Sequence, residues 1–140
     1  MSRSGYADED SEDYPVVFWR QAVQRAIDGK RGQAFLREMI EALDAMPEKR
    51  LISGYLEYNG NVCALGAVCR KRGLNLKGWE AFEAPNLARS FNIANALVRE
   101  IMYMNDEAFW NVTPEQRWEK MRAWAVENLI KDDGRSSAGL

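Results

Sequence analysis

The stretch LISGYLEYNGNVCALGAVCRKRG, residues 51–73, decides how the rest of the chain must be arranged. Its first half runs through Leu51, Ile52, Tyr55, Leu56 and Tyr58 to Asn59-Gly60, and Asn61-Val62 leads away. Asn-Gly accepts two consecutive positive φ values and is the strongest short-range signal for a two-residue hairpin turn. Its second half, from Cys63 to Arg72, is small and apolar over Ala64, Leu65, Gly66, Ala67 and Val68, with Gly73 placed to stop it. A helix that is apolar all round is a buried one, and its small residues let neighbours come close. The pattern therefore predicts a small β-hairpin within residues 51–62 leading into a central, most buried helix. An isolated hairpin is marginal in water, so helices must cover it.

Working toward the N-terminus, Phe35, Leu36, Met39, Ile40, Leu43 and Met46 form an apolar stripe, with Arg37, Glu38, Glu41 and Asp44 on the other face. This predicts a helix from about Gln33, ended by Pro47 because the residue before proline is pushed out of the helical region. Ahead of it, Val16, Trp19, Ala22, Val23, Ala26 and Ile27 follow the 3.6-residue period behind Pro15. Gly29 fits a C-terminal cap, with Lys30, Arg31 and Gly32 as the connection of an antiparallel helical hairpin. Residues 1–13 have no apolar period and read as a disordered arm, in which Asp8, Glu9, Asp10, Glu12 and Asp13 are concentrated. Such a run is ordinarily a solvated tail, although an acidic arm can also mimic phosphate or shield a basic face.

Toward the C-terminus, short helical stretches are expected around Trp79–Phe82 and Asn86–Phe91, then a helix over Ala94–Met104 and a loop over Asn105–Val112. The last helix has the clearest start: Thr113 as cap, Pro114 at the first position, and Gln116 completing a capping box. Trp118, Met121, Trp124, Ala125 and Leu129 line its apolar face, and from residue 132 the composition turns to a flexible tail. The expected fold is mainly α, a compact bundle of five to seven helices with at most one small β-hairpin at about 51–62. Residues 14–131 make a single domain between the arm at 1–13 and the tail at 132–140.

Composition narrows the function more than any motif does. The 140 residues hold no histidine and two cysteines, with a net charge of −2. Without imidazole there is no Ser-His-Asp or Cys-His catalysis and no His-ligated zinc, and two thiols cannot build a four-thiolate site. Cys63 and Cys69, six residues apart on one expected helix, point to different faces and suit a reducing compartment as unbridged, buried thiols. The polar start and the lack of a long apolar run place the chain in the cytosol, away from membranes. The oxygen side chains Asn105, Asp106, Glu107 and Asn111 cluster without the spacing of a complete ion loop, so capping or a side-chain turn is their ordinary role. Neither a metal nor a cofactor is expected, and no catalytic residue is assigned.

Two constellations point to partners. In LARSFNIANALVREI, residues 87–101, Ala88 is small enough for a close helix crossing and Asn92 tolerates a left-handed turn four positions on. Ile93, Val98 and Ile101 would plug the gap, which is the steric pattern of a helix-turn-helix. Asn95, Arg99 and Tyr103 would then face a DNA groove, with Arg70, Lys71, Arg72 and Lys77 as phosphate contacts. The same spacing also describes a plain packed helix pair, and Glu100 beside Arg99 is poorly suited to phosphate. The second constellation is Trp79, Phe82, Phe109 and Trp110, aromatic residues outside any clean stripe that fit a protein interface or plugs at the ends of the core.

Segments RGQAFLREMIEALDAMPEKRLI (31–52), GNVCALGAVCRKRG (60–73), MNDE (104–107) and TPEQRWEKMRAW (113–124) together resemble a family of small proteins from bacteria, tailed phages and prophages. The resemblance spans most of residues 30–128. It implies no catalytic residues, but a setting in mobile genetic elements, where small helical proteins inhibit, recruit or regulate host machinery. The expectation is a non-enzymatic binding protein acting on a protein partner, with a helix-turn-helix DNA-binding regulator as the alternative. A homodimer through helices 16–28 and 114–130 is a further option.

Overall fold

The computed structural model describes residues 3–4, 16–75, 84–109 and 111–130. The elements in chain order are α1 (Val16–Asp28), α2 (Lys30–Ala45), β1 (Glu57–Tyr58), β2 (Asn61–Val62), α3 (Ala64–Lys71), α4 (Ala84–Phe91), α5 (Asn95–Tyr103), a π-helical turn (Met104–Ala108) and α6 (Pro114–Glu127). The protein is thus mainly helical with one two-stranded antiparallel sheet, in which Glu57 pairs with Val62 and Tyr58 with Asn61. Asn59 and Gly60 take φ of 51° and 81°, the paired positive values that the Asn-Gly turn requires.

The six residues from Ala64 to Cys69 are all buried, so α3 lies inside the fold with α2 and α5 packed around it. Eight residues cannot hold a helix alone in water, and this one exists because its neighbours enclose it. Gly66 sets the distance to the hairpin, since a Cβ there would come within 2.1 Å of the Leu56 carbonyl oxygen and 2.9 Å of the Val62 Cβ. Cys63 caps the helix, its sulfur accepting the Gly66 amide at 3.4 Å. Around α3 the largest fully buried side chains include Leu36, Met39, Leu43, Leu51, Leu56, Leu87, Leu97 and Met121, drawn from every layer of the chain.

The junction of α1 and α2 is tighter than the sequence predicted. Gly29 is not a left-handed C-cap followed by a linker; it is the extended N-cap of α2, with φ −70° and ψ 164°, and α2 starts at Lys30. Gly32 permits this. A Cβ at that position would lie 1.9 Å from the Ala26 carbonyl oxygen, so only glycine lets the first turn of α2 press on the last turn of α1. The buried Gln33 then ties three ends together: its Nε2 donates to the Ile27 and Asn128 carbonyls at 2.8 and 3.0 Å, and its Oε1 accepts the Ile130 amide at 2.8 Å. These bonds satisfy carbonyls that helix ends otherwise leave open.

The expected loop over 105–112 is corrected over its first half, because residues 104–108 continue α5 as a π-helical turn. The wider turn carries Asn105 into the core, where its Oδ1 accepts the Ala64 amide at 3.2 Å and its Nδ2 donates to the Ile52 carbonyl at 2.9 Å. The helix α6 starts with the predicted capping box: Thr113 Oγ1 accepts the Gln116 amide at 3.1 Å and Gln116 Oε1 accepts the Thr113 amide at 2.9 Å. Met121, Trp124 and Ala125 are buried, and so is Arg117, whose spacing puts it on the same face although its charge favours solvent. At the other terminus, Arg3 and Ser4 are anchored rather than part of a structureless arm: Ser4 is fully buried, and its carbonyl accepts Arg99 Nε at 2.5 Å. The remaining arm residues, the expected Trp79–Phe82 helix and the 132–140 tail lie outside the described residues.

Gly66→Ala discriminates packing from propensity. In an exposed helix this change stabilises by about 1 kcal/mol. Here the clash with a backbone carbonyl dominates, and a net loss of about 1–3 kcal/mol is expected from overpacking. Urea unfolding followed by far-UV circular dichroism measures it; a higher midpoint would mean that α3 is not seated on the hairpin.

Candidate functional site

The segment expected to read DNA does fold as two helices with a left-handed corner: Asn92 has φ 58°, Ala88 lies in the contact, and Ile93, Val98 and Ile101 are buried. Its polar residues, however, are already occupied within the protein. Arg99 donates to the Ser4 carbonyl and lies 4.9 Å from the Trp19 ring centre. Glu100, only 4 % exposed, receives both Arg20 terminal nitrogens at 3.0 and 3.1 Å. α5 packs on α1, α3 and α4, Tyr103 is half-buried, and Asn95 stands exposed at its first position. The supporting cations are distributed likewise. Arg70 Nη2 donates to the Gly60 carbonyl at 2.9 Å, Lys71 lies 3.8 Å from Glu41, and Arg72 grips Glu38 bidentately at 2.6 and 2.7 Å. Lys77 lies outside the described residues.

Of the aromatic residues expected at an interface, Phe109 is half-buried against the core, with Lys120 Nζ 5.6 Å from its ring centre. It plugs the bundle end rather than offering a free face. Trp79, Phe82 and Trp110 lie outside the described residues.

The densest polar cluster surrounds the π-helical turn, and the sequence grouped only part of it. Asp106 accepts Arg3 Nε at 2.5 Å and Arg3 Nη2 at 2.8 Å, together with the Gly54 amide at 2.9 Å and Asn105 Nδ2 at 2.8 Å. Ser4 Oγ donates to Glu107 at 2.6 Å, and Arg117 Nε donates to the Asn105 carbonyl at 2.8 Å. Burial works against the Asp106 carboxylate, but the hydrogen bonds and charge of Arg3, with the Gly54 amide and Asn105, hold its pKa below the usual carboxylate value. Burial also opposes the Arg3 charge, yet the neighbouring Cys63 and Asp106 leave its pKa raised. Each acceptor of Asp106 is spent on the protein itself, so the cluster joins the N-terminal segment, the 51–54 loop and α5 rather than presenting a reactive carboxylate. Among the described residues no group of acids and thiols is disposed to hold a metal ion. Cys63 and Cys69 are both free and buried, and burial with the nearby Cys63 pushes the Cys69 thiol up to about 12.

A different surface is left unfilled. Tyr55 and Tyr58, 56 % and 55 % exposed, both lie ahead of the hairpin turn, with ring centres 5.2 Å apart and ring planes tilted by 31°. The turn that follows them contributes to an open groove of about 330 Å³, lined by Met46, Pro47, Arg50, Asn59, Asn61 and Arg70 among others. Arg50 pairs with Glu48 at 2.6 Å in its rim, whereas Arg70 donates to the Gly60 carbonyl and has no carboxylate partner among the described residues. The sequence reading assigned both tyrosines to the strand pattern of the hairpin. Only Tyr58 lies in β1, and Tyr55, three residues earlier, falls outside the strand, so strand alternation alone does not expose both. No family model, curated protein sequence or solved structure matches the chain.

Two outcomes follow from the buried cluster. Asp106, with its pKa depressed on folding, contributes stability that is present above its ordinary pKa of 3.8 and is lost as the pH falls through its lower folded value. Stability is therefore expected to fall below about pH 4, and Asp106→Asn to flatten that fall while costing about 3 kcal/mol at neutral pH by leaving Arg3 unpaired. Urea midpoints of both proteins between pH 7 and 3 decide it. Ellman's reagent is expected to reach neither thiol in the native protein and both in 8 M urea at about pH 8, the pH at which exposed thiols react; rapid native labelling would contradict the burial of Cys63.

Proposed function

We propose that this chain is a non-enzymatic binding protein of the phage or mobile-element type its sequence resembles, acting by protein–protein interaction through the hairpin face and modulating a host or defence complex. The observation that carries the reading is the exposed Tyr55–Tyr58 pair, whose ring centres lie 5.2 Å apart just ahead of a turn that helps to line a polar groove. Tyrosine presents a large, rigid contact area with a hydroxyl at its tip, and loses little conformational entropy when a partner covers it. Aromatic residues of this kind, together with arginines such as Arg50 and Arg70, dominate binding energies at protein interfaces. The rest of the chemistry supports binding over turnover: the thiols are buried, the Asp106 carboxylate is saturated with donors, and the sequence holds no histidine. Against the helix-turn-helix alternative stands the occupation of Arg99 and Glu100 by residues of the N-terminal segment and α1.

The test is a photo-crosslinking amino acid at Tyr55 in the full chain, expressed in its source cells, with adducts identified by mass spectrometry. A discrete protein adduct is expected. Tyr55→Ala/Tyr58→Ala should weaken binding of that partner by about 100-fold, corresponding to roughly 3 kcal/mol for two interface aromatics, while leaving the unfolding midpoint within about 0.5 kcal/mol, as for exposed positions. No discrete adduct, or a partner bound equally well by the double variant, would remove the hairpin face from the function.

A further inference from the structure

We infer that the pocket around the π-helical turn is a receptor site for an arginine–serine segment, filled here by the chain's own residues 3–4 and able to take a segment of that chemistry from a partner protein. Both residues are held as a bound peptide would be. Arg3 presents two nitrogens to the two Asp106 oxygens at 2.5 and 2.8 Å, and the Gly54 amide and Asn105 Nδ2 fix that carboxylate in place. The next residue is contacted twice: Ser4 Oγ donates to Glu107 at 2.6 Å, and the Ser4 carbonyl accepts Arg99 Nε at 2.5 Å. The enclosure is that of a pocket rather than of a surface pair. The Arg3 side chain is 14 % exposed, whereas the arginines paired with Glu100, Glu48, Glu38 and Asp44 keep 30 % or more. Arg3 Nη1 is buried without a hydrogen-bond partner, so even the nitrogen that Asp106 does not engage is shut off from water.

Chain connectivity does not impose this docking. Residues 5–15 join Ser4 to α1 and could span about 40 Å when extended. The gap is far smaller, because one guanidinium bridges it: Arg99 takes the Ser4 carbonyl and lies 4.9 Å from the Trp19 ring centre on α1. The segment is therefore held by what the pocket recognises. A two-nitrogen fork on a carboxylate selects arginine over lysine. Asp106 and Glu107, side by side and partly out of water, require donors, which a guanidinium followed by a hydroxyl supplies. None of these contacts depends on the segment belonging to the same molecule. A short tether raises the local concentration of such a segment to about the millimolar range, which makes residues 3–4 an intramolecular competitor of a partner's segment. The inference does not rest on the hairpin interface.

The experiment titrates the full ¹⁵N-labelled chain carrying Arg3→Ala/Ser4→Ala with an acetylated peptide of residues 1–6, and with the same peptide carrying Arg3→Lys. Saturable amide shifts are expected at Gly54, Asn105, Asp106 and Glu107. The lysine peptide should bind at least about tenfold more weakly, for want of the fork. The wild-type chain, whose pocket is filled, should need at least about tenfold more peptide for the same shifts. If the double variant loses its helical circular dichroism, Arg3→Lys in the full chain replaces it as receptor, keeping a cation beside Asp106. Wild-type dimers that the peptide dissociates would identify a second copy as the partner and support the site. Shifts confined to other residues, no saturation, or equal affinity for the two peptides would overturn it.

Discussion

Burying α3 on every side is the constraint to which the other elements answer. In this helix of eight residues Ala64 to Cys69 all lie inside and only Arg70 and Lys71 reach solvent, so it has no independent stability. Its surroundings must supply both apolar contact and hydrogen bonds. The hairpin does the first by resting on Gly66, where the Leu56 carbonyl occupies the space of a side chain. Asn105 does the second, giving the first amide of α3 an acceptor from a different helix. That single amide side chain also holds the Ile52 carbonyl, and its backbone carbonyl receives Arg117. The 51–54 loop, α3, the end of α5 and α6 are thereby referred to one buried point.

This arrangement explains why polar residues that look functional in sequence become structural. Buried donors and acceptors must be matched, because each one left unpaired costs on the order of 1–3 kcal/mol. The protein meets most of that demand by spending Asn105, Asp106, Arg3 and Arg117 on one another and on the backbone, with Arg3 Nη1 left without a hydrogen-bond partner among the described residues. Arg99 and Glu100 on α5 are consumed likewise, by Ser4 and Arg20. The tyrosines of the hairpin, by contrast, stay exposed at the periphery.

Much of the fold was legible because its signals are local. The Asn59-Gly60 turn, the Thr113–Gln116 capping box and the uninterrupted small apolar run of α3 each depend on a few adjacent residues whose backbone preferences are intrinsic. The left-handed corner at Asn92 and the small Ala88 beside it were legible for the same reason. Less of the candidate sites was legible. Tyr55 and Tyr58 read as ordinary strand residues. Gly29 was misread because a glycine between two helical patterns fits either helix end, and the choice rests on Gly32, whose lack of a side chain matters only once α1 stands against it.

By itself the sequence determined the helical class, the hairpin and its turn, the start of the last helix and the absence of imidazole chemistry. Each of these follows from residue type and spacing over a handful of positions. Tertiary structure alone decided that Arg3 and Ser4 dock, that Asn105 turns inward through a π-helical turn, and that Arg99 is occupied while Arg70 donates to the Gly60 carbonyl. Those outcomes depend on partners as many as 103 residues away along the chain. The pairing of charges and buried amides is a property of distance in space, and a linear pattern carries no record of it until the helices have packed.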